Sequence, residues 1–324
     1  MRIIQDYREV PGDARGAVAA LGNFDGVHRG HQSVVAKVRA LAQQHGAPSA
    51  IVTFEPHPRQ FFRPADPPFR LTPFPSKARL LAALGIDLLF ALPFDADLAR
   101  LDAEAFAAQV LAGGLGLRHV VVGRDFLFGR GRSGTVAGLA SAGSRLGFET
   151  TTIEPVPEPG GSKISSSHIR DQLRDGDPVG AAALLGHWWE VEGAVEQGDQ
   201  RGRLLGFPTA NVALGDSLVP KLGVYAVRAG IEAGGTVTWH DAVANIGLRP
   251  TFGKDKVALE VHLLGFTGDL YGRPLRVTFN AFVRPEQKFA GLDALKAQIA
   301  ADSAKATAPL AEPSHAAGRF GLPG

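Results

Sequence analysis

In the first half of the chain, short apolar runs alternate with segments whose apolar residues recur at helical spacing. The runs are "GAVAALGNF", "SAIVTFEP", "DLLFALPF", "HVVVG" and "FETTTIEPV". They are short, apolar runs, as buried strands are. Between them, "QSVVAKVRALAQQHG" puts Val34, Val38 and Leu41 on one face and stops at Gly46. "PSKARLLAALG" starts after Pro75 and ends at Gly85. "DAEAFAAQVLAGG" opens at Asp102, a good N-cap, and closes on two glycines. Buried strands alternating with helices predict an α/β domain with a parallel sheet. Such a sheet binds ligands at the carboxyl ends of its strands.

The pattern changes near residues 176–190, where "RDGDPVGAAALLGHWWEVEG" carries turn signals and a short helix. From there the chain is strand-rich: "HWWEVEGAVEQ", "LGVYAVRAGI", "TVTWHDAVANIG", "VALEVHLLGF" and "PLRVTFNAFVRP". Gly and Asp turns separate these runs, which predicts a compact antiparallel β-barrel. One helix with Leu292, Leu295 and Ile299 on a stripe closes it. The expected domains are 1–180 and 183–306. The stretch 307–324 is small, aperiodic and Pro/Gly-bearing, and is expected to be disordered.

Composition changes this picture mainly by exclusion. The 34 basic and 32 acidic residues nearly cancel, so no electrostatic footprint for nucleic acid stands out. No cysteine is present, which excludes disulfides, thiolate metal sites and cysteine nucleophiles. "MRIIQDYREVPGDARG" lacks the apolar core of a signal peptide, and no run approaches a membrane span. A soluble, cytoplasmic protein is expected. Oligomeric state is left open.

Three stretches carry candidate chemistry. In "LGNFDGVHRGH", His28 and His31 fall at the start of the helix after the first apolar strand, on one helical face. A helix N-terminus with Gly22, Gly26 and Gly30 nearby suits close approach of phosphate oxygens. Imidazole donors there can stabilise charge on a phosphorus centre. The competing readings are a solvated helix start and a metal site, the latter without an obvious third ligand. In "RGRLLGFPTAN" at 201–211, Thr209 and Asn211 offer oxygens suited to Mg²⁺, although Thr–Ala–Asn can equally be a plain turn. In "ALEVHLLGF", Glu260 shares a strand face with Ala258, His262 and Leu264. There it is either solvated or placed to accept a proton from a hydroxyl. Gly129, Gly131 and Gly134 spell GxGxxG, with Glu154 twenty residues on. "RDFLF" separates them from the preceding strand, so the dinucleotide fingerprint fails on context. Arg130 and Arg132 fit better as a basic loop over a pyrophosphate, or simply as a solvated one.

"GNFDGVHRGHQ", "TFEPHPRQFF", "VVGRDFLFGRGRSG" and "KISSSHIRDQL" together resemble the prokaryotic bifunctional riboflavin kinase/FMN adenylyltransferase family in order and spacing. "GRLLGFPTAN", "LGVYAVRA", "NIGLRPTFG", "EVHLLGFTGDLYG" and "EQKFAGLDALKAQIAAD" resemble its kinase module. The resemblance implies a Rossmann-like nucleotidyltransferase domain with a parallel sheet, followed by an antiparallel β-barrel riboflavin kinase domain. It implies ATP as co-substrate, Mg²⁺, riboflavin and FMN as substrates, and FMN and FAD as products. It assigns catalysis to His28, His31 and Glu260, and the metal to Thr209 and Asn211. Nucleotide binding falls to Gly22, Asn23, Phe24, Gly30, Ser166, Ser167, Arg170, Gly206 and Pro208. Flavin binding falls to Pro56, His57, Pro58, Phe62, Asp125 and Phe128. The family usually has Thr at Ser167 and often Asp at Gly265; neither difference removes a role-bearing group. Two rivals are a nucleotidyltransferase whose barrel only binds flavin, and a flavin-binding module without turnover.

Overall fold

The computed structural model describes residues 1–158, 161, 163–197, 206–251 and 254–311, with 249–251 and 254–256 described in backbone only. These form two compact units: Met1–Pro67 with Phe74–Ile164, and Pro68–Pro73 with the chain from Ser165 onward. Among the described residues, no helix is long and apolar enough to cross a membrane.

The first unit contains, in order, β1 (Arg2–Ile4), β2 (Val18–Leu21), α1 (Arg29–His45), β3 (Ser49–Glu55), α2 (Pro58–Phe62), α3 (Phe74–Ala83), β4 (Leu88–Pro93), α4 (Ala96–Arg100), α5 (Ala103–Ala105), β5 (His119–Gly123), α6 (Val136–Leu146) and β6 (Glu149–Ile153). The strands make a six-stranded sheet in the order β1-β4-β3-β2-β5-β6. All five pairings are parallel. Helices cover both faces of the four inner strands, so β2, β3, β4 and β5 bury alternate residues on opposite sides and are buried nearly throughout, whereas the edge strands β1 and β6 stay partly exposed. On β2, Val18 and Ala20 pack with Val35, Val38 and Leu41 of α1. Ala19 and Leu21 pack on the other side with Phe106, Val110 and Leu139. Asp102 is the expected N-cap of α5, its Oδ1 accepting from the Ala105 N–H at 2.8 Å. The helix then widens into a π-helix over Phe106–Gly114. A Cβ at Gly114 would stand 2.7 Å from the Tyr7 ring, which accounts for the glycine there.

The second unit contains α7 (Ser166–Asp175), α8 (Pro178–Leu185), β7 (Glu190–Glu196), β8 (Ala210–Val212), β9 (Gly223–Ala233), β10 (Thr236–Thr251), β11 (Lys254–Leu263), β12 (Pro274–Arg284) and α9 (Leu292–Ala311). The strands close a barrel in the order β10-β11-β8-β7-β12-β9. Every pairing is antiparallel.

Two boundaries differ from those the sequence predicts. The units divide at Ile164/Ser165, not near 180. The turn signals around 176 lie between α7 and α8, and α7 is tied to the barrel unit. The Lys221 N–H donates to the Leu173 carbonyl at 3.0 Å and Lys221 Nζ to the Asp175 carbonyl at 3.2 Å. The segment Pro68–Pro73 joins this unit as well. The Leu218 N–H donates to the Arg70 carbonyl at 2.8 Å, and the buried Trp189 donates Nε1–H to the Leu71 carbonyl at 3.0 Å.

The other boundary is the chain's last helix, which continues to Ala311 instead of stopping at 306. Ala306 and Leu310 are fully buried against Val224, Ala226 and Val243. Its inner stripe holds the half-buried Leu295 and Ile299, then the buried Asp302, Ala306 and Leu310, whereas Leu292 is 66% exposed. Asp302 breaks the apolar pattern yet is buried, because Arg284 grips it bidentately at 2.7–3.0 Å. The rest of the expected disordered tail, 312–324, lies outside the described residues.

Candidate active sites

The first cluster sits where β2 runs into α1. His28 caps the helix, its Nδ1 accepting from the His31 N–H at 3.3 Å. The two rings stack with centroids 3.6 Å apart and planes 16° from parallel. Phe24 packs against His31 at 4.9 Å. The turn is conformationally costly: Phe24 (φ 49°) and Val27 (φ 43°) both occupy the left-handed region, which β-branched residues avoid. It is held by Gln32, which donates to the Val27 carbonyl at 2.9 Å, and by the Thr53 hydroxyl, which donates to the Asn23 carbonyl at 3.2 Å. A Cβ at Gly30 would lie 3.1 Å from the His28 ring, so glycine gives that ring its room. Gly22 likewise leaves the Phe24 ring its place.

Burial, the neighbouring His28 and then Lys77 hold the His31 imidazole well below its usual 6.5. Its Nδ1 is enclosed without a hydrogen-bond partner among the described residues. An orphaned buried polar atom of this kind fits a site that a ligand completes. Lys77 on α3 is fully buried and donates to Glu55 Oε1 at 2.9 Å and Thr53 Oγ1 at 3.3 Å. It is a fixed positive charge that the sequence reading does not single out. Its one signal is a lysine on the apolar side of a helix.

The expected flavin residues fall partly together. Phe62 is 64% exposed. Its ring begins a continuous run of aromatic contacts: Phe62–Phe94 at 5.7 Å, Phe94–Phe54 at 5.7 Å, Phe54–Phe106 at 6.3 Å and Phe106–Phe128 at 5.8 Å. Thus Phe62 and Phe128 belong to one aromatic wall, which Phe126 extends by stacking on Phe128 at 5.7 Å, and whose members between Phe62 and Phe128 the sequence reading missed. Pro58 starts α2, capped by His57, whose Nδ1 accepts from the Arg59 N–H at 3.1 Å. Pro56 follows Glu55 through a cis peptide. Asp125 stands apart from this wall in its contacts. It accepts from Lys163 Nζ at 2.6 Å, and that hydrogen bond lowers its pKa. The GxGxxG glycines serve a tight hairpin: a Cβ at Gly134 would lie 2.7 Å from both Ala103 and the Phe128 ring.

Ser166, Ser167 and Arg170 belong to the second unit, in the first turns of α7. Arg170 donates Nε–H to the Phe69 carbonyl at 2.8 Å and lies over that residue's ring at 5.4 Å.

The second cluster is built by barrel register. On β11, Leu259, Val261 and Leu263 are buried, while Ala258, Glu260 and His262 keep partial exposure. Glu260 stands directly opposite Asn211 on β8 and opposite Asn245 on β10. Residues opposed across antiparallel strands share a face with Cβ atoms about 5 Å apart. The three side chains therefore form one row. His262, two residues along the same face, makes a 2.8 Å hydrogen bond with the Pro208 carbonyl, which anchors the chain leading to Thr209 and β8. Pro208 and Thr209 also line a cavity of about 520 Å³ with Val195, Leu263, Phe266 and Tyr271 among its walls. Gly206 begins this described stretch in a left-handed turn, φ 84°. Residues 201–205 of the expected phosphate loop lie outside the described residues. Beside Asn245, the Glu286 carboxylate occupies the space that a Cβ at Gly247 would need. Asn245 and Glu286 lie in quoted motifs, but single-strand periodicity gave no reason to pair them with Glu260.

Residues 10–168 match the family model described as FAD synthetase, and residues 185–310 the one described as Riboflavin kinase. A Bifunctional riboflavin kinase/FMN adenylyltransferase from Pseudomonas fluorescens is 43% identical over 97% of this chain and 100% of its own length. The chain belongs to the bifunctional riboflavin kinase/FMN adenylyltransferase family. Relatives of that description from Escherichia coli K12 and Bacillus subtilis are 41% and 38% identical, over 93% and 90% of this chain and 95% and 91% of theirs. The crystal structure of the Macrolide-efflux Protein from Streptococcus pneumoniae is similar with TM-score 0.83 and 29% identity, over 94% of this chain and 98% of that one. The first family model ends at residue 168 and the second begins at 185, and the stretch between them, most of α7 and α8, belongs to the barrel unit of the fold.

Proposed function

We propose that this family member performs two ATP-dependent transfers in succession, one in each unit, with the residues above in defined roles. In the second unit, the ribityl 5′-hydroxyl of riboflavin attacks the γ-phosphorus of ATP. The bond from that phosphorus to the β–γ bridging oxygen breaks, ADP leaves, and Glu260 takes the hydroxyl proton. Asn245 stands opposite Glu260 in the same row. Thr209 and Asn211 are hard oxygen donors beside it and fit Mg²⁺, which would offset the phosphate charge when bound. Gly206 and Pro208 border the nucleotide.

In the first unit, a phosphate oxygen of FMN attacks the α-phosphorus of ATP, and pyrophosphate leaves as the bond to the α–β bridging oxygen breaks. The protein's part is positioning and charge stabilisation. His28 and His31 donate to the oxygens on the α-phosphorus, Gly22, Asn23, Phe24 and Gly30 shape the turn around it, and buried Lys77 adds positive charge. Pro56, His57, Pro58, Phe62, Asp125 and Phe128 receive the flavin, whose planar ring suits an aromatic wall. The cytoplasm, where ATP is made and spent, is the compartment this reading assigns.

One observation carries the reading: the histidine cluster and the Glu260–Asn211 cluster fall in separate compact units, each covered by a different family model. Purified protein given riboflavin, ATP and Mg²⁺ should yield FMN and then FAD, separated by chromatography. Accumulation of FMN without FAD, or failure to use either flavin, would sink the two-reaction reading.

A further inference from the structure

The phosphate chemistry of the first unit lies at the carboxyl ends of its strands. At the opposite edge of the same sheet, His119 opens β5, Glu149 opens β6, and His45 ends α1. His119 and Glu149 are register partners on adjacent parallel strands. One ligand atom from each of the three residues lies within 4.8 Å of the other two. His119 is 3% exposed, and its Nδ1 is enclosed without a hydrogen-bond partner among the described residues. Glu149 Oε2 stands 3.5 Å from that nitrogen, too far for a strong hydrogen bond. The ring's other nitrogen, Nε2, is 2.8 Å from Thr151 Oγ1.

From this geometry we propose that His45, His119 and Glu149 form a zinc site that fastens the end of α1 to the sheet. Two imidazoles, one carboxylate and a water make a donor set that Zn²⁺ accepts in tetrahedral geometry. Ligand atoms about 2.0–2.1 Å from such an ion stand roughly 3.3 Å apart. The His119–Glu149 pair is already at 3.5 Å. His45 is half-buried and Glu149 exposed, so both side chains can close the remaining gap while His119 stays fixed. With Nδ1 on the metal, the Nε2–H donates to Thr151, the outer hydrogen bond that commonly orients a ligating histidine. The C-terminal end of α1 carries partial negative charge and favours a cation.

The test uses full-length protein stripped of metal and free of nucleotide. Zinc is titrated calorimetrically, cobalt is titrated by visible absorption, and melting temperature is followed with added zinc. Wild type should bind one zinc, show the absorption of tetrahedral cobalt, and melt higher with zinc. His45→Ala and Glu149→Gln change side chains at the surface. Each should weaken zinc binding at least tenfold and abolish the melting shift, while both flavin activities persist. His31→Ala should leave zinc binding intact. If the His45→Ala/Glu149→Gln double variant, shown folded by circular dichroism, binds zinc like wild type, the proposal is overturned. Absence of zinc binding to wild type, or its loss only on His31→Ala, overturns it equally.

Discussion

His28 and His31 stack face to face at 3.6 Å because one caps the helix on which the other sits. Two imidazoles so close cannot both be cations cheaply, so the pair meets a polyphosphate as donors of fixed geometry. His31→Ala should lower FAD formation from FMN by ~10²–10³, the usual loss for one transition-state donor. FMN formation from riboflavin should stay near wild type. Steady-state rates with each flavin check this, and equal loss of both activities in a folded variant would point to a shared site.

The same burial predicts an acid-sensitive stability. The native His31 ring takes a proton only well below 6.5, whereas the unfolded chain takes it near 6.5. The folded state thus binds fewer protons below that value. Stability is intact above about pH 6.5 and declines as pH falls beneath it. Urea denaturation from about pH 7 to about 5.5 should show a shallower decline for His31→Asn than for wild type. Parallel curves would mean that His31 titrates normally in the native protein.

Lys77 is fully buried and its partner Glu55 is mostly so. Lys77→Met should cost about 3–5 kcal/mol, because it removes the buried cation that faces the Glu55 carboxylate. Lys77→Met with Glu55→Gln should recover much of that loss. Chemical denaturation of the single and double variants measures both. A single variant within about 1 kcal/mol of wild type would show that the pair is solvated.

Truncation after Ala306 and truncation after Ala311 should differ. The shorter chain loses Leu310, which is fully buried, and the carbonyl that Arg228 Nη2 reaches at 2.7 Å. Losing a buried leucine typically costs about 2–5 kcal/mol. Ending at Ala311 should leave melting unchanged. Equal melting temperatures for the two truncations would show that the last turn contributes nothing.

The strands and most helices were legible because burial on both faces of a parallel sheet, or on one face of a barrel, writes directly into residue order. The exceptions each have a cause. β1 and β8 span three residues each, too few for a period to show. The last helix reads as ending early because Asp302 occupies a core position, which Arg284, distant in sequence, makes acceptable together with Gln298. Histidines 28 and 31 were visible from local spacing. Lys77, the phenylalanines of the aromatic wall, Asn245 and Glu286 were not, since their proximity to the sites is created by tertiary packing. The compact units divide ahead of the turn signals near 176, because turn residues mark the end of a helix and not which body that helix packs against.

The most direct test of one reaction per unit is Glu260→Gln assayed with riboflavin and with FMN. Glutamine keeps the shape opposite Asn211 and Asn245 but removes the proton acceptor, a group typically worth ~10²–10⁴ in rate. FMN formation from riboflavin should fall by that factor, ATP binding should persist, and FAD formation from supplied FMN should continue at the wild-type rate. Riboflavin phosphorylation near the wild-type rate, or loss of FAD formation from FMN in the folded variant, would contradict the account.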